Sequence, residues 1–355
     1  LIESIELHHF RGFEDLKISG FARLNLIAGR NDVGKTALLE ALVLSNEPRL
    51  NGFFTAPPLV RPVAFTRPAP TSPENWAWLF HGRNVSRDLN VMANRSEGMW
   101  SRLTLHVNAP EALQFAAATG VPESGREALL RLHDASFRVQ GEFWDGRRLQ
   151  CDVPLTLGGL RLPPDVPETG WTGSMVYAAG SMLGPELAAD WVGKLIAERR
   201  IDALVEALRT IEPRLKRLFV VGEHGAALVK ADIGLGEAAP LGTLGDGFIR
   251  LACFLGQALV YQKKLLIIDE IENGFHASAL RDALRALRTA VRAGDHQLFA
   301  TTHSQEALDA AAEVFDESGE FRLFRLEIGR SGEIRAVRLD RDQIRTALSL
   351  GWEIR

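Results

Sequence analysis

The chain has 355 residues, of which 46% are hydrophobic and 24% charged, and its formal net charge is −4. This is the composition of a soluble globular protein with room for one large or two ordinary domains, and it excludes binding to polyanions by bulk charge alone. Two distant cysteines, Cys151 and Cys253, point to a reducing compartment and against a disulfide scaffold. The opening Leu1-Ile2-Glu3-Ser4-Ile5-Glu6 carries acids where a secretory leader has a basic start and an apolar core. No apolar run reaches the ~20 residues of a membrane span. A cytoplasmic protein without a membrane contact is expected.

In chain order, Ile2, Ile5, Leu7 and Phe10 mark an opening strand, Phe10-Arg11-Gly12-Phe13 a turn, and Leu16-Lys17-Ile18 a returning strand. The apolar run Leu24–Ala28 reads as a short buried strand. It feeds Gly29-Arg30-Asn31-Asp32-Val33-Gly34-Lys35-Thr36, which fits the phosphate-loop pattern G-x-x-x-x-G-K-[ST]. Residues 37–44 then read as a helix, so the motif has the strand–loop–helix context that it needs. The glycines let backbone N–H groups approach a polyphosphate, and the helix N-terminus adds partial positive charge. Lys35 is expected on the β/γ-phosphates and Thr36 on Mg²⁺.

Seven prolines between 48 and 73 exclude regular structure there. Strands are expected over 102–107, 137–143 and 148–157, as an antiparallel section, with short helices over 111–118 and 126–132. A loop-rich stretch covers 161–173. The pattern is helical over 185–211, with Leu187, Trp191, Leu195, Leu204, Leu208 and Ile211 on one face, until Pro213 stops it. Strands over 215–221 and 226–233 form a hairpin. A helix over 277–291 presents Leu280, Leu284, Leu287 and Val291. A helix over 305–312 and a hairpin of strands over 321–328 and 334–339 close the chain. There are no repeats, and no heptads long enough for a coiled coil.

Three later stretches say which kind of nucleotide protein this is. Lys264-Leu265-Leu266-Ile267-Ile268-Asp269-Glu270 is an apolar strand ending in two carboxylates. Asp269 is expected in the Mg²⁺ shell, and Glu270 as general base on the attacking water. Phe299-Ala300-Thr301-Thr302-His303-Ser304 is another apolar strand with a polar tip. Ligands of parallel sheets bind beyond the strand C-termini, so His303 is expected on the nucleotide side. Leu244-Gly245-Asp246-Gly247-Phe248-Ile249-Arg250 puts a glycine turn before a helix, a second anion site. Two such sites in one chain point to a nucleotide held between two subunits.

These stretches, together with Ile5-Glu6-Leu7-His8-His9-Phe10-Arg11-Gly12-Phe13 and Asp269-Glu270-Ile271-Glu272-Asn273-Gly274-Phe275-His276, resemble the ABC-type ATPases. More specifically they look like the AAA_15/AAA_21-like group, which includes the ATPase part of the OLD (overcoming lysogenisation defect) family and is related to RecF and SMC heads. The resemblance implies an α/β P-loop NTPase fold, with a mostly parallel core sheet, an antiparallel β subdomain and an inserted helical or irregular lid. It divides the chain into a nucleotide-binding core of 1–48 and 215–355, and an insertion of 49–214. It implies Mg²⁺-dependent ATP hydrolysis in a head-to-tail homodimer, with each ATP between the Lys35 loop of one subunit and Gly245, Asp246 and Gly247 of the other. Lys35, Glu270 and His303 are then the catalytic groups, His303 as the switch histidine, and 272–274 the loop that crosses the interface. Arg11 matches an arginine that lies near the nucleotide in related heads.

The chain departs from the group in having Gly245 where many ABC proteins have serine, and His276-Ala277 where many relatives have His-Pro. Gln140 and Gln150 are the candidates for the glutamine that completes the Mg²⁺ shell. About 50 residues follow His303, too few for the TOPRIM nuclease of OLD proteins, so a nuclease or toxin effector is expected as a separate chain. The absence of Leu-Ser-Gly-Gly-Gln disfavours a transporter subunit. Arg281, Arg285, Arg288 and Arg292 share one helix face. They read either as a surface for DNA or an acidic partner, or as a solvated face paired with acids such as Asp282.

Overall fold

The computed structural model describes residues 1–46, 77–108, 136–156, 159–160, 174–177, 185–223, 225–315, 319–339, 343, 344 and 346. Its first strands are β1 (Ile2–Phe10), β2 (Phe13–Ser19) and β3 (Leu24–Ala28), followed by α1 (Lys35–Asn46). Then come β4 (Leu89–Arg95), β5 (Trp100–Asn108), β6 (Ser136–Phe143), β7 (Arg148–Thr156), β8 (Gly159–Leu160) and β9 (Ser174–Tyr177). Helices α2 (Pro185–Ala197) and α3 (Ile201–Leu208) precede β10 (Arg217–Glu223), β11 (Ala226–Asp232) and β12 (Ala239–Pro240). The remainder is α4 (Asp246–Val260), β13 (Leu265–Ile268), α5 (Ala277–Ala293), β14 (Gln297–Thr302), α6 (Gln305–Phe315), β15 (Phe321–Ile328) and β16 (Ile334–Leu339).

The short apolar runs build the centre. β3, β13 and β14 are buried along their whole length. They lie in a six-stranded sheet ordered β16-β15-β3-β14-β13-β9, parallel except for β16 at the edge. A strand buried on both faces supplies two cores, because alternate side chains point to opposite sides. Leu24, Leu26, Leu266, Ile268, Leu298 and Ala300 face the helical layer of α2 to α6. Ile27, Leu265, Ile267 and Phe299 face α1 and the seven-stranded antiparallel sheet ordered β2-β1-β4-β5-β6-β7-β8. Each such aliphatic side chain contributes about 1.5–3 kcal/mol by its burial.

The expected α/β architecture is present, with three local differences. β4 pairs with both β1 and β5, although no strand is read between 81 and 102 from the sequence. Its buried residues Leu89, Val91 and Ala93 do alternate, but asparagines, Met92 and Arg95 between them dilute the signal. The helical run over 185–211 is broken into α2 and α3. Arg199 takes a left-handed φ of 58°, and the Arg200 N–H closes back on Leu195 O at 2.8 Å, a helix stop. β9 joins the central sheet beside β13, so one strand of the 49–214 segment belongs to the parallel layer. The helices expected over 111–118 and 126–132, the loop over 161–173 and the proline-rich stretch over 48–73 lie outside the described residues.

Among the described residues no helix is long and apolar enough to cross a membrane. The strand ends that matter are adjacent. Parallel register pairs Ile268 with Ala300 and Thr302 with Ala28, so the residues following β3, β13 and β14 emerge at one edge.

Candidate nucleotide site

The phosphate loop joins β3 to α1. Gly29 (φ 150°), Asp32 (φ 63°) and Gly34 (φ 92°) all have positive φ, which wraps the chain around its own amides. At Gly34 a Cβ would lie 2.8 Å from the Phe13 ring, so the close approach of β2 also requires glycine there. Val33 is buried and anchors the loop, while Arg30, Asn31 and Asp32 are exposed. Lys35 Nζ donates to the carbonyls of Gly29 (2.7 Å) and Arg30 (2.9 Å). The ammonium is therefore held over the loop, where it can exchange carbonyl oxygens for phosphate oxygens.

Asp269, 1% exposed, is the centre of the polar cluster. Thr36 Oγ1 lies 3.4 Å from its Oδ1 and 3.2 Å from its Oδ2, and Thr301 Oγ1 donates to Oδ1 at 2.6 Å. Thr36 and Asp269 thus bring together a hydroxyl and a carboxylate, hard oxygen donors of the kind that Mg²⁺ takes alongside phosphates and water. Gln140 and Gln150 face each other across β6 and β7, with their amides 3.4 Å apart and exposed. No hydrogen bond ties either of them to Thr36 or Asp269 among the described residues.

Glu270 has a left-handed φ of 53°. Its N–H donates to Thr301 Oγ1 (2.8 Å), and its Oε2 accepts from Asn273 Nδ2 (2.6 Å). Its Oε1 lies 4.0 Å from His303 Nδ1. The strained backbone is offset by fixed partners, an arrangement that clusters at functional sites. Arg250 Nη2, reaching from α4, lies 3.3 Å from Asp269 O and 3.4 Å from Glu270 O. Burial lowers the Arg250 guanidinium from its ordinary value, against the carboxylates of Glu270, Glu272 and Asp269.

Gly245 (φ 88°) precedes α4 and is exposed with Asp246, whereas Gly247 is buried. A Cβ on Gly247 would lie 2.2 Å from Gly274 O, so the glycine turn of α4 and the loop after Glu270 meet backbone to backbone. His276 caps α5, its Nδ1 accepting the Ser278 N–H at 3.3 Å.

Arg11, in the left-handed turn between β1 and β2 (φ 53°), forms a fork with Glu40 of α1. Nε donates to Oε2 at 2.9 Å and Nη2 to Oε1 at 3.3 Å. Burial pushes the Glu40 carboxyl above its ordinary value and Arg11 opposes that shift. Glu40 lies one helical turn beyond Thr36, so Arg11 stands beside the Thr36–Asp269 cluster. The arginine stripe of α5 is engaged with acids. Arg281 reaches Glu313 (2.6 Å), Arg285 reaches Asp282 (2.8 Å) and Arg292 reaches Glu320 (2.8 Å).

The structure brings Lys35, Thr36, Asp269, Glu270 and His303 to one edge of the sheet, from three segments of the chain. Sequence reasoning assigned no role to Thr301, Arg250 and Glu40, and placed Asn273 in the 272–274 loop without its bond to Glu270. A threonine in an otherwise apolar strand was the available signal for Thr301. Arg250 and Glu40 carry no signal until their partners are known.

Comparison with known proteins bears on the fold and the motifs. A family model described as "AAA domain, putative AbiEii toxin, Type IV TA system" (AAA_21) matches residues 176–309, and a second AAA domain model (AAA_23) matches residues 4–45. The chain is 23% identical over 354 residues to an ATP/GTP phosphatase of Helicobacter pylori, covering 89% of both proteins. Over 43 residues it is 46% identical to the DNA replication and repair protein RecF of Idiomarina loihiensis, 12% of each chain. In fold it is similar to an SMC head solved with the C-winged helix domain of ScpA, with a TM-score of 0.52 and 13% identity over 96% of this chain and 97% of that one. In fold and in the order of its motifs the chain is similar to the ABC-type AAA ATPases.

Proposed function

We propose that the protein binds Mg·ATP at the Gly29–Thr36 loop, closes over it as a head-to-tail homodimer and hydrolyses it to ADP and phosphate. The convergence of Thr36, Thr301, Glu270 and His303 around Asp269 is the observation that supports this reading. Lys35 and the loop amides hold the phosphates. Thr36 and Asp269 hold Mg²⁺, which neutralises charge on the transferred phosphoryl group when bound. Glu270, held through Oε2 by Asn273, takes the proton of the attacking water. His303, beside it, faces the same water or the γ-phosphate. Gly245 and Asp246, exposed at the start of α4, offer a second anion site to the ATP of another copy. Arg11 reaches the nucleotide by releasing Glu40. The homologous ATP/GTP phosphatase, matched over most of both chains, supports hydrolysis.

Closure and hydrolysis act on a separate effector protein, a toxin or nuclease, in bacterial defence or DNA metabolism. The toxin–antitoxin wording of the matching family and the RecF likeness support that direction. A second reading, an ATP-gated scaffold with little turnover, is favoured by Gly245, which lacks the serine hydroxyl of many ABC signatures.

The test is Glu270→Gln. The enzyme reading predicts that hydrolysis is lost and that ATP stabilises a dimer seen by light scattering. Unchanged hydrolysis would remove Glu270 from its role. Near-zero turnover in the unmutated protein, with ATP occupancy alone releasing a partner, would favour the scaffold.

A further inference from the structure

His303 is held by a residue that takes no part in the mechanism above. Glu272 Oε1 accepts the His303 backbone N–H at 3.0 Å and lies 3.2 Å from His303 Nδ1, closer than Glu270 Oε1 at 4.0 Å. The Glu272 side chain is 12% exposed and that of His303 is 46% exposed. One partner is therefore fixed by packing while the other stands at the surface. The second carboxylate oxygen, Glu272 Oε2, is buried with no hydrogen-bond partner among the described residues. An unsatisfied buried acceptor is costly and calls for an explanation.

The backbone that carries Glu272 is fixed on both sides. The Ile271 N–H donates to Thr301 O (3.0 Å), the Asn273 N–H to Glu270 O (3.0 Å) and the Phe275 N–H to Glu272 O (3.1 Å). The turn is thus fastened to the end of β14, the strand that His303 follows. On its other side Gly274 packs on Gly247. Glu272 lies between the glycine turn of α4 and His303.

We propose that Glu272 is the positioning residue of His303. It fixes the loop through the backbone N–H and keeps the proton on Nδ1 through the adjacent carboxylate, which leaves Nε2 as the ring nitrogen free to meet the nucleotide or its water. The inference rests on the reading of His303 as a group of the hydrolytic site.

The experiment compares Glu272→Ala, Glu272→Gln, His303→Ala and the double variant Glu272→Ala/His303→Ala. A carboxylate that orients a functional histidine typically contributes about 10–100-fold. Glu272→Ala is expected to lower kcat by that order while KM and the affinity for a non-hydrolysable ATP analogue stay within about twofold. Glu272→Gln is expected to recover part of the rate, since its amide oxygen still accepts the His303 N–H. The double variant is expected to be no slower than His303→Ala alone, as for two residues acting as one unit.

In the nucleotide-free protein, ¹⁵N-histidine spectra are expected to show His303 protonated at Nδ1. In Glu272→Ala the proton moves to Nε2. Two independent losses that multiply in the double variant, or an Nδ1 signal unmoved by Glu272→Ala, would overturn the proposal. If His303→Ala slows hydrolysis and neither Glu272 variant does, this inference alone fails. If His303→Ala leaves the rate unchanged, the reading of the site fails with it.

Discussion

Thr301 and Asp269 share a 2.6 Å hydrogen bond, and the same Thr301 hydroxyl accepts the Glu270 N–H at 2.8 Å. One side chain on β14 therefore fixes two successive residues at the end of β13, the proposed Mg²⁺ ligand and the proposed general base. Thr301→Val keeps the shape and removes both bonds. Leaving such buried groups unmet costs about 1–3 kcal/mol. Urea unfolding is expected to show that loss, hydrolysis is expected to fall further than ATP affinity, and Thr301→Ser is expected to restore both.

The contact between Gly247 and Gly274 gives a second expectation. A methyl group at Gly247 would lie 2.2 Å from Gly274 O, against rigid backbone. Gly247→Ala is expected to destabilise by about 1–3 kcal/mol, the usual cost of overpacking. Gly236 has nothing within 4 Å of a Cβ and serves as the control. Thermal melts in which Gly247→Ala and Gly236→Ala behave alike would show that α4 and the loop after Glu270 are not pressed together.

Arg11 and Glu40 separate stability from nucleotide binding. Their side chains are 21% and 7% exposed, so Arg11→Ala strands a buried carboxylate and is expected to cost about 3–5 kcal/mol. Arg11→Met/Glu40→Leu, which replaces the pair by apolar side chains, is expected to recover most of it. If Arg11 also reaches the nucleotide, the stable double variant still binds ATP more weakly in a titration.

His296 predicts the pH dependence of stability. It is fully buried, with Nε2 2.9 Å from Ala258 O and Nδ1 accepting the Lys264 N–H at 3.0 Å. Burial lowers its pKa from the ordinary 6.5. Above that value the ring is neutral in both folded and unfolded chains, and its contribution is complete. As pH falls below 6.5 the unfolded chain takes up a proton that the folded chain refuses, so stability declines until the folded group titrates. His9, also lowered by burial, adds a decline of the same sign. Denaturation at pH 7.5 and 5.5 is expected to show this loss, and His296→Gln to make it smaller.

The residues that name the chemistry were legible in the linear chain because each belongs to a local pattern. Gly29, Gly34, Lys35 and Thr36 obey a fixed spacing between a strand and a helix, and Asp269, Glu270 and His303 end apolar runs too short to be anything but buried strands. Those signals are properties of neighbouring residues, so they survive in one dimension. β4 and the break at Arg199 were lost because their local patterns are diluted. The partners of the site were set by tertiary structure. Thr301, Arg250, Glu272 and Glu40 act across 19 to 32 positions of sequence. The roles of Thr301 and Glu272 exist only because β13 and β14 pair with Ile268 beside Ala300, which brings Asp269 level with Thr301. A register shifted by one residue would leave every motif intact and turn Thr301 to the other face of the sheet.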